Sequence, residues 1–312
     1  MLLGNGGNWK VRNTKLKIRS KFTSKIITKM KQVRIAGVPE HFNLPWHMCI
    51  ENGEFNEVGI DLQWTDVPEG TGKMCQMLRD NETDIAIILT EGIIKDLTEN
   101  AHSSIVQVFV KSPLIWGIHV DGKAKYATVS DLENKVSAIS RLGSGSHLMS
   151  FVNAEKNNWN TTNIQFEIVN NLDGAIESLS EGKSDYFMWE KYTTKPLVDN
   201  GTFKRVGECP TPWPCFVIAV RNEFLNENKS VVNLILDIIN ATTEEFKQIP
   251  SIDRTLATRY HQKLEDIQQW LAQTQWSQKN LDEKTFDKIQ NKLSDLNIIS
   301  KKAAFTQIVK KA

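Results

Sequence analysis

The chain of 312 residues is long enough for two lobes of ordinary size. Hydrophobic residues make up 40% and charged residues 24%, the proportions of a globular protein. With 38 basic against 37 acidic side chains the net charge is +1, which leaves no electrostatic case for a nucleic-acid partner. No apolar run reaches the roughly 18 residues that a transmembrane helix needs.

Residues 1–31 are rich in Lys and Arg and hold no Asp or Glu. They lack the apolar core of a secretory signal and read as a basic extension ahead of Met30, expected to be disordered. Cys49, Cys75, Cys209 and Cys215 form neither a CxxC pair nor a zinc pattern, and they are expected as buried thiols. A reducing, cytoplasmic location is the resulting expectation.

From residue 32 an α/β alternation begins. Strands are predicted over 33–37, 60–66 and 83–89, and each ends in a loop that opens a helix. The loops carry Glu40, His41 and Asn43, then Gly70 and Thr71, then Thr90 and Glu91. In open α/β sheets the loops at the carboxyl ends of strands hold the ligand. Two further strands are expected over 105–110 and 114–120. A capping box at 130–133 and a strand over 135–140 start a second α/β pattern, in which Gly143-Ser-Gly-Ser146 opens a helix. Strands over 164–169, 184–188 and 203–206 follow, with a helix opening at Trp189-Glu190-Lys191-Tyr192. A strand over 215–221 leaves the second lobe, and the rest is predicted helical and returned to the first. Lobe one is therefore assigned to 32–118 and 221–312 and lobe two to 119–220, with hinge crossings near Gly117 and Ala219. An inserted lobe of this kind suits closure around a ligand.

Several of these loops hold groups that packing alone explains poorly. A carboxylate such as Glu91 at the end of an apolar strand needs a partner. Gly143 and Ser144 at a helix start suit an anion or a polar ligand edge, although a plain cap is the simpler reading. No Lys-Ser/Thr follows those glycines, so there is no P-loop, and neither GxSxG nor GxGxxG occurs. His41 fits a proton shuttle or a satisfied loop residue. His41 and His47 do not share a metal-binding face, so no metal and no cofactor is expected. Trp189 and Trp213 offer rings that suit stacking on a flat ligand, though Trp is also common core filler.

The order of these elements resembles the type 2 periplasmic-binding-protein fold, in the branch that binds sulfonates, nitrate and thiamine pyrimidine precursors. The likeness rests on Gly53-Glu-Phe-Asn-Glu-Val-Gly-Ile60, on Asp84-Ile-Ala-Ile with its following loop, on Ser130-Asp-Leu-Glu133, on Arg141-Leu-Gly-Ser-Gly-Ser146 and on the ending Leu296-Asn-Ile-Ile299. It covers about residues 32–300. The resemblance implies a two-lobed α/β fold with hinge crossings and C-terminal helices packing on lobe one. It also implies an interlobe ligand faced by Glu40, His41, Gly70, Thr71, Thr90, Glu91, Gly143, Ser144, Trp189 and Glu190. The chain lacks the signal of secreted members and looks more like signal-less intracellular ones. It lacks the cysteine-rich motif of the fungal pyrimidine synthases.

The acidic loops favour a solute-binding protein that closes on a flat polar molecule such as an aminopyrimidine. Arg141 keeps an anionic substituent open. The alternative is a cytosolic enzyme on the same fold, resembling dehydratases or cyclases of the menaquinone pathway, with Glu40, His41 or Glu91 as acid or base. The expected partner is a small molecule in the cleft; a transporter or pathway partner is left unspecified.

Overall fold

A computed structural model describes residues 30–312; the basic extension lies outside the described residues up to residue 29. Ten strands form two five-stranded sheets. β1 (Lys31–Gly37), β2 (Ile60–Asp66), β3 (Ile85–Leu89), β4 (Ser103–Val110) and β10 (Phe216–Arg221) make sheet one, in the order β2-β1-β3-β10-β4. β5 (Ile115–Asp121), β6 (Val136–Ile139), β7 (Gln165–Ile168), β8 (Tyr186–Glu190) and β9 (Phe203–Pro210) make sheet two, in the order β7-β6-β8-β5-β9. In each sheet three adjacent parallel strands are followed by one reversed strand, β10 or β5, and the last strand, β4 or β9, pairs antiparallel with it and runs with the first three. β3 reads Ile-Ala-Ile-Ile-Leu with its first four residues buried, as a strand covered on both faces should. β2 alternates along the sheet edge.

The helices are α1 (Leu44–Glu51), α2 (Thr71–Arg79), α3 (Thr90–Glu99), α4 (Gly145–Lys156), α5 (Leu172–Ser180), α6 (Lys195–Asp199), α7 (Asn222–Glu227), α8 (Lys229–Glu245), α9 (Ile252–Arg259), α10 (Leu264–Gln273), α11 (Glu283–Asp295) and α12 (Phe305–Ile308). α8 packs on α1, α11 on α3 and α12 on β4, so the C-terminal third does return to lobe one. It also touches lobe two. Lys195 of α6 pairs with Asp266 of α10 at 3.3 Å, and Lys292 of α11 pairs with Glu155 of α4.

The crossings differ from their predicted places. β5 is hydrogen-bonded into sheet two along its whole length and β10 into sheet one. The chain therefore changes lobe at 111–114 and 211–215, several residues before Gly117 and after Pro210 rather than near Ala219. The two crossings bond to each other. Thr211 N donates to Leu114 O at 2.9 Å, and Leu114 N donates to Thr211 Oγ1 at 3.0 Å. Other departures are local. β8 runs through Glu190, so the predicted helix start at Trp189 is a strand end followed by a turn before α6. The capping box joins Thr128 and Asp131 instead of spanning 130–133. All four cysteines are buried as thiols.

One ionic cluster ties sheet one together. Asp84, just before β3, receives Arg34 Nε at 3.1 Å, Arg34 Nη2 at 2.8 Å and Arg221 Nη2 at 3.2 Å. Burial works to raise the Asp84 carboxyl, but the hydrogen bonds and charge of Arg34 and Arg221 outweigh it and hold the group below its usual value. Such a depressed acid stabilises the fold at neutral pH, and that stability is lost as pH falls through the lowered pKa. Asp84→Asn is expected to cost about 2 kcal/mol in urea unfolding at neutral pH, below the range for a fully buried pair because Arg34 is partly exposed. The difference from wild type should begin to shrink as pH falls below the ordinary carboxylate value of about 4 and should vanish only as pH passes through the lowered pKa of folded Asp84. An unchanged urea midpoint at neutral pH would remove Asp84 from its bracing role.

Candidate functional site

The strand ends of both lobes converge at the junction between the sheets. After β1, Glu40 precedes a short turn of 3-10 helix, His41–Asn43. Asn43 Nδ2 donates to Val38 O at 2.8 Å, while its Oδ1 is buried with no partner among the described residues. His41 is enclosed by aromatic rings, with centroids 4.3 Å from Trp270, 5.7 Å from Tyr260 and 6.3 Å from Tyr192. Burial lowers its imidazole to about 3, so the ring is neutral near physiological pH and a weak base.

Three carboxyl groups define the electrostatics. Glu91, in the first turn of α3, is 2% exposed. Its Oε2 accepts from Trp213 Nε1 at 2.8 Å, and its Oε1 is buried with no partner among the described residues. Burial pushes this carboxyl up to about 7, against the pull of its own backbone N–H and then of the indole hydrogen bond. Glu190 ends β8, and its Oε2 accepts from the backbone N–H groups of Tyr192 at 2.8 Å and Thr193 at 2.6 Å. Burial still holds it above the ordinary carboxylate range. Glu40 is raised as well, first by burial and then by the charge of Glu190. The charge of a lobe-two carboxyl thus acts on a lobe-one carboxyl, and among the described residues no salt bridge reaches Glu40, Glu91 or Glu190.

The other predicted residues fall into two groups. Thr90, Gly143 and Ser144 lie at the junction, and Thr90 Oγ1 is buried without a partner among the described residues. Gly70 caps α2 with φ +76°, and the Thr71 side chain fills the space where a Cβ on Gly92 would sit. The Gly143–Ser146 turn spends much of its polarity on itself. Ser144 Oγ accepts from His147 N at 3.3 Å, Gly143 N donates to His147 Nδ1 at 3.0 Å, and Ser146 Oγ accepts from Ser140 N at 3.0 Å. Trp189 stacks on Phe187 at 5.3 Å, so one ring face is covered. Trp213 is buried and its indole is committed to Glu91, which makes it a positioning residue rather than a stacking platform.

Sequence reasoning missed the contribution of the C-terminal helices. Tyr260 follows α9 and Trp270 lies on α10, and both pack on His41. Gln262 Nε2 donates to Tyr192 O across the junction at 2.9 Å. Tyr260 OH, Gln262 Oε1, His41 Nε2 and Trp270 Nε1 are all buried without partners among the described residues. Their only signal in sequence was an unusual number of large polar-tipped rings, which helical spacing alone assigns to packing. Among the described residues no group of His, Cys, Asp and Glu is gathered for a metal, and no helix is long and apolar enough to cross a membrane.

This geometry, with two sheets, two crossings and polar strand ends facing one another, is that of the type 2 periplasmic-binding-protein fold. Residues 116–209 match the family model described as Ca3427-like PBP. The structure is similar to that of the Candida albicans CA3427 gene product, described as defining a new family with the generic periplasmic-binding-protein fold. The TM-score is 0.82 at 26% identity over 91% of this chain and 97% of that one. It is also similar to the alkanesulfonate-binding protein SsuA from Xanthomonas axonopodis pv. citri bound to MOPS, with TM-score 0.76 at 15% identity over 91% and 99% of the two chains. The periplasmic aliphatic sulphonate binding protein SsuA from Escherichia coli gives 0.69 at 15% identity over 90% and 92%. No curated protein sequence matches the chain significantly.

The raised carboxyls carry a pH signature. Because Glu40 and Glu190 are raised, the folded protein keeps protons that the unfolded chain releases, and stability declines as pH climbs from the ordinary carboxylate value of about 4.3. Glu40→Gln removes one member of the pair. It should raise the melting temperature at about pH 8 and leave it unchanged at about pH 4, where both forms are uncharged. A gap of equal size at both pH values would show that the two carboxyls do not oppose each other.

Proposed function

We propose that this protein is a solute-binding protein that closes its two lobes on a flat, polar, nitrogen-rich molecule, with an aminopyrimidine as the best-fitting class. The observation that supports this most is the unpartnered Glu91 Oε1, buried at the start of α3, in a protein that also raises two further carboxyls, Glu40 of lobe one and Glu190 of lobe two. Buried carboxyls that no ion pair reaches among the described residues call for a ligand rich in N–H donors. The buried acceptors Gln262 Oε1 and Asn43 Oδ1 ask for the same chemistry. Two of the structural relatives are named for binding sulfonates, and the acidic lining here sets this chain's expected ligand apart from a simple sulfonate.

Closure follows from the paired crossings. The 211–215 crossing carries Trp213, so the hinge itself holds Glu91 in place. A ligand bonded to Glu91 and Glu190 spans both lobes and draws them together. A carboxyl poised near neutrality at Glu91 also suits proton transfer, which keeps the enzyme reading as a second one. The weakly basic His41 gives that reading little help. Recovery of the bound molecule chemically unchanged after long incubation supports the binder, and turnover supports the enzyme.

Calorimetry with a 4-aminopyrimidine tests the site. Glu91→Gln should lower affinity by about tenfold or more, the worth of a hydrogen bond to a charged group. Trp213→Phe, which leaves the carboxyl in place but free to turn, should lower it by less. Binding that ignores Glu91 and Glu190 altogether, or no binding of any aminopyrimidine, would refute the proposal.

A further inference from the structure

A cavity of about 220 Å3 lies between the lobes, walled by α2 and α3 on one side and by the turn at 141–145 with the start of α4 on the other. Glu91, a residue 2% exposed, lines it, and its Oε1 is buried with no partner among the described residues. Away from Glu91 the lining turns basic. Lys95 of α3 reaches across the junction, and its Nζ donates to Gly143 O at 3.2 Å. Arg141 reaches the opposite way and lays its guanidinium on Gly72 of α2. Arg79 also lines the cavity, but it is paired with Asp96. Glu99 is on the wall and exposed. Lys95 and Arg141 have no ion pair among the described residues.

Two glycines make this arrangement possible. A Cβ on Gly72 would stand 2.1 Å from Arg141 Nη2, and a Cβ on Gly143 would stand 1.9 Å from Lys95 Nζ. Each lobe thus offers a bare backbone position to the other lobe's cation. Gly145, at the start of the twelve-residue α4, lies on the same wall, and His147 N of that first turn is already capped by Ser144 Oγ.

Building on the reading above, we propose that the ligand is bipolar: N–H donors engage Glu91, and an oxyanion substituent, a phosphate or a sulfonate, is clamped by Lys95 from lobe one and Arg141 from lobe two. A single anion held by cations of both lobes makes closure part of recognition. Arg141 supplies a planar fork suited to a tetrahedral oxyanion, and Lys95 supplies a point charge.

The test is calorimetry on the full chain with 4-amino-5-(hydroxymethyl)pyrimidine, its O-phosphate, an alkanesulfonate and inorganic phosphate. The phosphate ester should bind at least about tenfold more tightly than the alcohol. Lys95→Gln and Arg141→Gln should each cut that preference to about threefold or less. Gly72→Ala is the geometric control. It keeps every charge and favours the helix, but it displaces the guanidinium, and it should cut the preference as well. Equal affinity for ester and alcohol in the wild type would overturn the clamp and leave the aminopyrimidine site standing. Binding of the sulfonate or inorganic phosphate alone, lost in the Lys95 and Arg141 variants, would uphold the clamp and overturn the aminopyrimidine. A preference that survives all three variants would overturn the clamp, as would the failure of every probe to bind.

Discussion

The constraint on which the rest of this structure turns is the burial of Glu91 and Glu190 at a junction where, among the described residues, no ion pair reaches them. A buried acid without a cation either keeps its proton or waits for a partner. Glu91, Glu190 and Glu40 all sit at the carboxyl ends of strands or just beyond them, and all are raised by their surroundings. Holding them there works against stability, so the fold must offset it elsewhere. The two apolar sheets do so, with β3 and β10 packed against each other in the middle of sheet one.

The hinge and the site are physically continuous. Thr211 closes a reciprocal pair with Leu114 and also donates its hydroxyl to Trp213 O at 3.0 Å. Trp213 in turn donates to Glu91. Thr90 N donates to Cys215 O at 3.0 Å, which ties the start of α3 to the same crossing. A change in the charge or partner of Glu91 therefore acts on the segment about which the lobes move, without any intermediary. The C-terminal helices close the far side of the junction through Gln262, Lys195–Asp266 and Lys263–Asp199, so closure involves three layers rather than two.

Much of the fold was legible because its central strands are unambiguous. β3 and β10 are short apolar runs rich in β-branched residues, and their length and composition favour a doubly covered strand over a buried helix. Glu91 was legible for a related reason: a carboxylate ending such a strand has no place in a core. The lobe boundaries were less so. β5 and β10 are both mostly apolar, and nothing in such a run says which sheet it joins, so the crossings fell several residues from their predicted places. Trp213 was recognised as a site residue, but its role was not, because a stacking ring and a hydrogen-bonding indole look alike in sequence. Lys95 was invisible, since its meaning comes from Gly143 on the other lobe, 48 residues away. Tyr260 and Gln262 were hidden for the same reason, as partners of elements about 70 to 220 residues distant in the chain.

What occupies the cavity beside Glu91 decides the function. A crystal structure of the protein grown with a 4-aminopyrimidine measures this directly. The account predicts closed lobes, with a ligand nitrogen about 3 Å from Glu91 Oε1 and the ring held between residues of both lobes. A ligand lodged elsewhere, or a junction in which Glu91 Oε1 bonds only to solvent, would contradict it.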